Sequence, residues 1–89
     1  MQLAAWRLSM ITEEVVKIIT DLLGVDESKV TFDARLIEDL NADSLDAVEL
    51  AMTLEEHFKI QVSDEEVEHM STVGEIAETI KLRRPDLEI

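Results

Sequence analysis

The chain has 89 residues, with 21 Asp and Glu against eight Lys and Arg, and a formal charge of -13. This charge argues against a nucleic-acid partner, which would need a basic surface, and against anionic membranes. The sequence contains no cysteine, which excludes disulfides, thiolate metal sites and a cysteine nucleophile. No apolar run is long enough for stable membrane insertion. We predict one acidic folded domain whose partners are basic.

The first predicted helix covers residues 12–23. Apolar residues recur at helical spacing through this segment, Thr12 suits the N-cap, and Gly24 follows the last apolar residue. Residues 1–9 contain no acid and are predicted to lie outside the fold, either as an upstream extension or as the remnant of an organelle transit peptide. The domain itself is placed at residues 10–84, followed by a tail at 85–89.

The next segment, residues 25–43, shows no clear hydrophobic period. A connection of this length is unusual in a compact domain. We therefore interpret it as an ordered loop that its apolar residues pin to the core, with a short helical turn near residues 36–40.

Three further helices are predicted at residues 44–58, 64–69 and 73–82. Ser63 and Glu66 form a capping-box pattern before the third helix, and Thr72 and Glu75 form another before the fourth. Pro85 follows the last predicted helix, as expected because helices usually end before a proline. No long stretch alternates as strands do. The predicted fold is all-α: a small four-helix bundle with a long loop between helices 1 and 2 and a short third helix.

The second predicted helix carries two apolar stripes. The first has the spacing of an ordinary core stripe and consists of Ala47, Leu50, Ala51, Leu54 and Phe58. The second lies on a different face and consists of Leu45, Val48 and Met52. This second stripe either packs inward against the long loop or forms an exposed surface on which partners dock. Seven acids and no Lys or Arg occur from residue 36 to residue 58, and such one-signed charge favours docking.

Ser44 stands where the long loop meets the second helix. In local chemistry, either Ser44 or Asp43 suits the N-cap. No histidine is placed beside Ser44 and the G-x-S-x-G pattern is absent, which argues against a hydrolase. Asp39, Asn41 and Asp43 have the opening spacing of a calcium loop, but the sixth and twelfth positions do not fit. We therefore predict no metal site.

The segment that carries a family resemblance is EDLNADSLD, residues 38–46, continued by VEL at residues 48–50. It resembles the acyl carrier proteins, and further matches are LGV at 23–25, LEEHF at 54–58, DEE at 64–66 and TV at 72–73. The resemblance covers about residues 12–81. It departs from the family at Asn41, where glycine is usual. Asn is the best substitute for glycine at a positive φ, so we expect only a small cost in stability.

The resemblance implies a site centred on Ser44, flanked by Asp43 and Leu45. Ser44 would carry a 4′-phosphopantetheine arm through a phosphodiester, installed from coenzyme A by a separate synthase. The arm would supply the thiol that the chain lacks, and the chain itself would catalyse nothing. The acyl chain would fold back into a core pocket lined by Leu50, Leu54, Phe58 and Ile76. The family's recognition positions correspond to Asp43, Asp46, Val48, Glu49, Met52, Glu55 and Glu56.

The function implied is transport of acyl thioesters among the enzymes of type II fatty acid synthesis. The alternatives are a carrier of a polyketide or other specialised pathway, and a non-carrier acidic interaction protein in which Ser44 is only a cap. The expected partners are holo-acyl-carrier-protein synthase and the fatty acid synthesis enzymes, which would dock through basic patches. We expect a cytoplasmic monomer, or an organellar one if residues 1–9 are a transit remnant.

Overall fold

The computed structural model describes residues 10–87, the side chain of Asp64 excepted, so the predicted extension at residues 1–9 lies outside the described residues. Within 10–87 the chain forms four α-helices and no strand. They are α1 Met10–Leu23, α2 Ser44–Phe58, α3 Asp64–His69 and α4 Val73–Arg83. Two short 3-10 turns, Glu27–Lys29 and Pro85–Leu87, follow α1 and α4. The predicted all-α bundle is thus confirmed.

Helix α1 includes Met10, and Thr12 lies buried inside it. The prediction of Thr12 as N-cap is therefore wrong. Ile11 is also fully buried, because it continues the apolar stripe of α1 by one more turn, and burying it stabilises helix beyond the local capping signal. The helix ends as predicted: Gly24 has a φ of 66°, and its N–H donates to the carbonyl of Thr20 at 2.9 Å.

The core lies between α1, α2 and α4. Helix α1 packs against both α2 and α4, while α3 packs on α2. The largest fully buried side chains contributed by these helices are Ile11, Ile19, Leu54, Ile76 and Ile80, followed by the valines, among them Val67 of α3. The core stripe predicted on α2 is confirmed for Leu50, Ala51, Leu54 and Phe58, which are buried, while Ala47 is half-buried and packs against the edge of the core.

The long loop between α1 and α2 is ordered by its own hydrogen bonds and by apolar anchors. Val30, Leu36 and Leu40 are buried, as the interpretation of a pinned loop requires. Ile37 and Phe32 are exceptions, being 62% and 38% exposed. The predicted helical turn is present only as successive hydrogen-bonded turns over residues 36–40, since too few residues repeat the helical bond to form a helix.

A short backbone bridge joins this loop to the start of α4. Arg35 and Thr72 form an isolated antiparallel bridge, and the N–H of Leu36 donates to the carbonyl of Ser71 at 3.1 Å. Further along, the N–H of Gly74 donates to the carbonyl of Phe32 at 2.9 Å. These bonds fix the loop that leads to Ser44.

The capping pattern before α4 acts as predicted, whereas only half of the predicted box forms before α3, because the Glu66 carboxylate bonds Arg83 instead. The Ser63 hydroxyl accepts from the N–H of Glu66 at 3.0 Å. Thr72 and Glu75 form a complete capping box. After α4, the turn Pro85–Leu87 brings Leu87 against the core.

Candidate functional site

Asp43 caps α2, and Ser44 is its first helical residue. The Asp43 carboxylate accepts from the N–H of Asp46 at 2.9 Å, and the Asp46 carboxylate accepts from the N–H of Asp43 at 3.0 Å. This reciprocal pair is a capping box. Of the two residues that suited the N-cap, the structure selects Asp43.

The Ser44 side chain is exposed, and its hydroxyl forms no hydrogen bond with any residue of the described chain. The serine hydroxyl is therefore exposed to solvent at the N-terminus of α2, and no hydrogen bond within the described chain restrains it. The positive end of the helix dipole at this terminus favours a phosphate group.

The turn that delivers the chain to Ser44 depends on Asn41, whose φ is 62°. The N–H of Asn41 donates to the carbonyl of Ile37 at 3.1 Å, and that of Ala42 donates to the carbonyl of Leu36 at 2.9 Å. The left-handed conformation expected at this position is present, and Asn occupies it with less strain than other non-glycine residues.

A cleft of about 400 Å³ opens beside Ser44. Its walls come from the end of α1, the long loop, the first turn of α2, and α3 with the residue pair that follows it. The apolar residues in these walls are Leu23, Leu36, Ile37, Ala42, Ala47, Val67 and Met70. The small side chains of Ala42 and Ala47 leave space where larger ones would fill the gap between α2 and α3.

The side chains predicted to line the acyl pocket do not line this cleft. Leu50, Leu54, Phe58 and Ile76 are at most 4% exposed and belong to the packed core. Open space adjoins Ser44, whereas these four residues face the interior deeper along α2 and α4. The placement of an acyl chain among these four residues stays a prediction. It would require the packed core side chains to move apart.

The second stripe of α2 is largely exposed. Leu45 is 75% and Met52 62% exposed, while Val48 is half-buried. The alternative in which this stripe packs inward is therefore wrong for Leu45 and Met52. With Ile37 on the neighbouring loop, they are large apolar side chains that the fold leaves in solvent.

The carboxylates around this stripe differ in how far the fold engages them. Glu49 and Glu56 are exposed, and their side chains form no hydrogen bond or ion pair within residues 10–87. Asp46 belongs to the capping box. Glu55 accepts from the N–H of Val62 at 2.9 Å in a partly buried contact. Its predicted docking role therefore competes with a structural one.

Sequence reasoning missed this role of Glu55. The contact spans seven residues and depends on the chain reversing at Lys59, which adopts a left-handed φ of 57°. The sequence offers no glycine or asparagine at that position as a signal for the reversal.

The histidines and carboxylates of the described chain form no second reactive centre. His57 Nε2 lies 2.9 Å from Glu14 Oε1, at the opposite end of α2 from Ser44, and His69 Nδ1 lies 2.9 Å from the carbonyl of Glu65. Among residues 10–87, no three His, Cys, Asp or Glu side chains converge as metal ligands would. Within the same range, no helix has both the length and the apolarity to cross a membrane.

A comparison with known protein families matches residues 13–80 to the family described as phosphopantetheine attachment site. The match extends from α1 to near the end of α4 and includes the exposed serine and the cleft. Proteins of this family are carriers rather than catalysts, and the prosthetic group that they bear is 4′-phosphopantetheine. They carry acyl chains and interact with modifying enzymes. Because the match covers most of the chain, this protein belongs to the phosphopantetheine attachment family.

Proposed function

We propose that this protein carries acyl intermediates of fatty acid biosynthesis as thioesters on a 4′-phosphopantetheine arm attached to Ser44. The observation that supports this assignment is the serine itself. Its hydroxyl is exposed and forms no hydrogen bond within the described chain. It lies at the first turn of α2, beside an apolar cleft. A prosthetic group joined there would be reachable by other enzymes and would have apolar walls beside it.

The residues around Ser44 fit attachment by another enzyme rather than self-modification. The Ser44 oxygen would form a bond to the phosphorus of coenzyme A that carries the pantetheine group. The bond from that phosphorus to the departing nucleotide would break at the same time. The serine proton must go to a base. Neither His57 nor His69 lines the cleft, and the carboxylates nearest Ser44, Asp43 and Asp46, are engaged in the capping box. We therefore propose that the partner synthase supplies that base. Once attached, the group provides the thiol on which acyl chains are held.

Partner enzymes would bind the docking surface, defined here as Leu45, Val48, Met52, Glu49 and Glu56. Apolar contact with the exposed stripe would supply affinity, while the two unpaired carboxylates would attract basic patches and orient the encounter. Asp43, Asp46 and Glu55 would contribute less, because each already accepts a hydrogen bond within the fold.

The strongly acidic character of α2 favours a carrier that many separate enzymes visit, as in a dissociated fatty acid synthase, and we propose the cytoplasm as its location. A carrier of a polyketide or other specialised pathway is the second candidate. The residues between α1 and α3 support either pathway, and the acid-rich docking surface is the feature that favours the first.

Co-expression with a pantetheinyl transferase, followed by intact mass spectrometry, tests the attachment. We expect the mass to rise by one phosphopantetheine group for the wild type and not for Ser44→Ala. Ser71 lines the same cleft, so Ser71→Ala is the matched control and should be modified like the wild type. Modification of Ser44→Ala, or an unmodified wild type, would contradict the assignment.

The pathway is tested separately with the modified protein. We expect purified fatty acid synthesis enzymes to load it with malonyl groups and elongate an acyl chain on it, as seen by mass spectrometry. Loading only by enzymes of a specialised pathway would favour the second candidate.

A further inference from the structure

Helix α3 forms one wall of the cleft and has little internal stability of its own. Val67 and Glu68 lie in that wall, and Met70 follows them. A helix of six residues is too short to persist alone in water. Its position therefore depends on what ties it to the rest of the bundle.

The C-terminal side of α3 is tied by backbone bonds. Ser71 accepts from the N–H of Leu36, and Thr72 pairs with Arg35 in the isolated bridge. Val67, which is 1% exposed, anchors the middle of the helix in the core. These contacts resemble a hinge, because they hold one end of α3 while leaving its other end to be fixed separately.

The N-terminal side of α3 follows Val62, which is buried and donates to Glu55, and α3 itself is tied there by the side chain of Arg83, from the last turn of α4. Arg83 Nη1 donates to the carbonyl of Gln61 at 2.6 Å, and Arg83 Nη2 donates to Glu66 Oε1 at 2.6 Å. One guanidinium thus bonds both the segment before α3 and α3 itself. Arg84 does not duplicate this tie, since it donates to the carbonyl of Phe58 and to Asp86.

An exposed ion pair by itself contributes little to stability. The Arg83 contact differs in geometry, because the rigid fork of a guanidinium satisfies two charge-assisted bonds at once and fixes the distance between its acceptors. Such a contact acts on position more than on global stability.

We infer that Arg83 is a positioning residue that latches α3 against the bundle and thereby sets the opening of the cleft beside Ser44. Without its two bonds, α3 is held only by its buried residues and by the tie at residues 71–72, so the wall that Val67, Glu68 and Met70 form can shift outward and widen the cleft. The consequence for an acyl chain rests on the proposed function, whereas the latch itself is a property of the unmodified protein.

Hydrogen exchange of the unmodified protein tests the latch. We expect Arg83→Gln to accelerate exchange at the amides of Val67 and Met70 about three- to tenfold, with α1 and α4 unchanged. Lys81 lies in the same turn of α4 and forms no side-chain bond within residues 10–87. Lys81→Gln removes the same charge and should leave the exchange in α3 as it is.

The conservative variant separates positioning from general destabilisation. Arg83→Lys retains the charge but cannot form the forked pair, so it should restore part of the protection at Val67. Unchanged exchange in Arg83→Gln would overturn the inference. Equal acceleration in all four helices, or full loss in Arg83→Lys together with a lower melting temperature, would assign Arg83 a purely structural role and also overturn it.

The effect on cargo is measured on protein acylated through the Ser44 arm. We expect hydroxylamine to cleave a long-chain thioester faster in Arg83→Gln than in the wild type, and Lys81→Gln to match the wild type. Equal cleavage despite faster exchange in α3 would overturn the link between latch and cleft. Failure to load any variant would instead count against the proposed function and leave the exchange result standing.

Discussion

Asp43 and Ser44 are adjacent, yet within the described chain only Asp43 has a structural task. The Asp43 carboxylate satisfies an N–H of the first turn of α2, whereas the Ser44 hydroxyl has no bonding role within the described chain. Stability and modification should therefore be separable by substitution at these two positions.

We expect Asp43→Ala to lower the free energy of unfolding by about 0.5–2 kcal/mol, the usual effect of losing an N-cap. Ser44→Ala should change it by less than about 0.5 kcal/mol, as for an exposed residue without a special contact. Urea denaturation of the unmodified proteins measures both. Asp43→Asn retains a capping oxygen and is the matched control. A larger loss in Ser44→Ala than in Asp43→Ala would place the cap at the serine.

Single residues were predictable where the cause is local. The left-handed turn at Asn41 follows from the steric preferences of one residue. The N-cap prediction at Thr12 was wrong because capping preference is local, whereas the burial of Ile11 that extends α1 is a tertiary effect. The contact of Glu55 with Val62 lay beyond reach for the same reason.

The helix α2 shows how much an element reveals through its periodicity. Two apolar stripes at helical spacing predicted a core face and a second face of undecided role. The structure buries the first, with Leu54 1% exposed, and leaves Met52 of the second 62% exposed. Periodicity identifies the faces, but only the packing of the neighbouring loop decides which of them is covered.

The two faces of α2 should respond differently to truncation. Leu54→Ala leaves a cavity in the core and should cost about 2–5 kcal/mol of unfolding free energy. Met52→Ala should cost less than about 0.5 kcal/mol, because its side chain is already in solvent. Denaturant melts of the two variants test the contrast. Equal destabilisation would mean that Met52 is core in solution and that the docking surface is misplaced.

Charge reversal on the docking surface should change association with partners. Glu49→Lys should slow binding to the pantetheinyl transferase and weaken its dependence on salt, because rim charges act mainly on the rate of encounter. Stopped-flow binding at two salt concentrations measures this. Glu78 is exposed on α4, so Glu78→Lys is the matched control for net charge and should have a smaller effect. An equal effect of both variants would indicate general attraction rather than a local surface.

The loop before α2 was the element least accessible to sequence reasoning. Its pairing with the start of α4 joins positions far apart in the chain, and no local preference specifies such a partner. Gly74 shows the consequence: a Cβ at this position would lie 2.7 Å from the ring of Phe32. A larger residue here would displace the Phe32 ring, a close contact that only the folded structure reveals.

At the scale of the whole molecule, acidic residues far outnumber basic ones, 21 against eight. Within the described chain, ion pairs with arginine join Arg35 to Asp39, Arg83 to Glu66 and Arg84 to Asp86. The Arg35 backbone N–H and side chain both bond to Asp39 and hold the pKa of its carboxyl below its usual range. Glu49 and Glu56 of α2 have no such partner.

This uneven compensation predicts that salt stabilises the protein. The unpaired carboxylates are closer together in the folded state than in the unfolded chain, so their repulsion opposes folding, and counterions weaken it. Raising ionic strength from 0.01 M to 0.1 M shortens the screening length from about 30 Å to about 10 Å, a change large enough to act across this small domain. Salt also weakens the exposed ion pairs, but these contribute little.

We expect a rise in melting temperature of several degrees, corresponding to about 1 kcal/mol. Divalent chloride at matched ionic strength should raise it further. The control is Glu49→Gln/Glu56→Gln, which should melt higher at low salt and gain less from added salt. A falling melting temperature would show that attractive pairs outweigh repulsion in this fold.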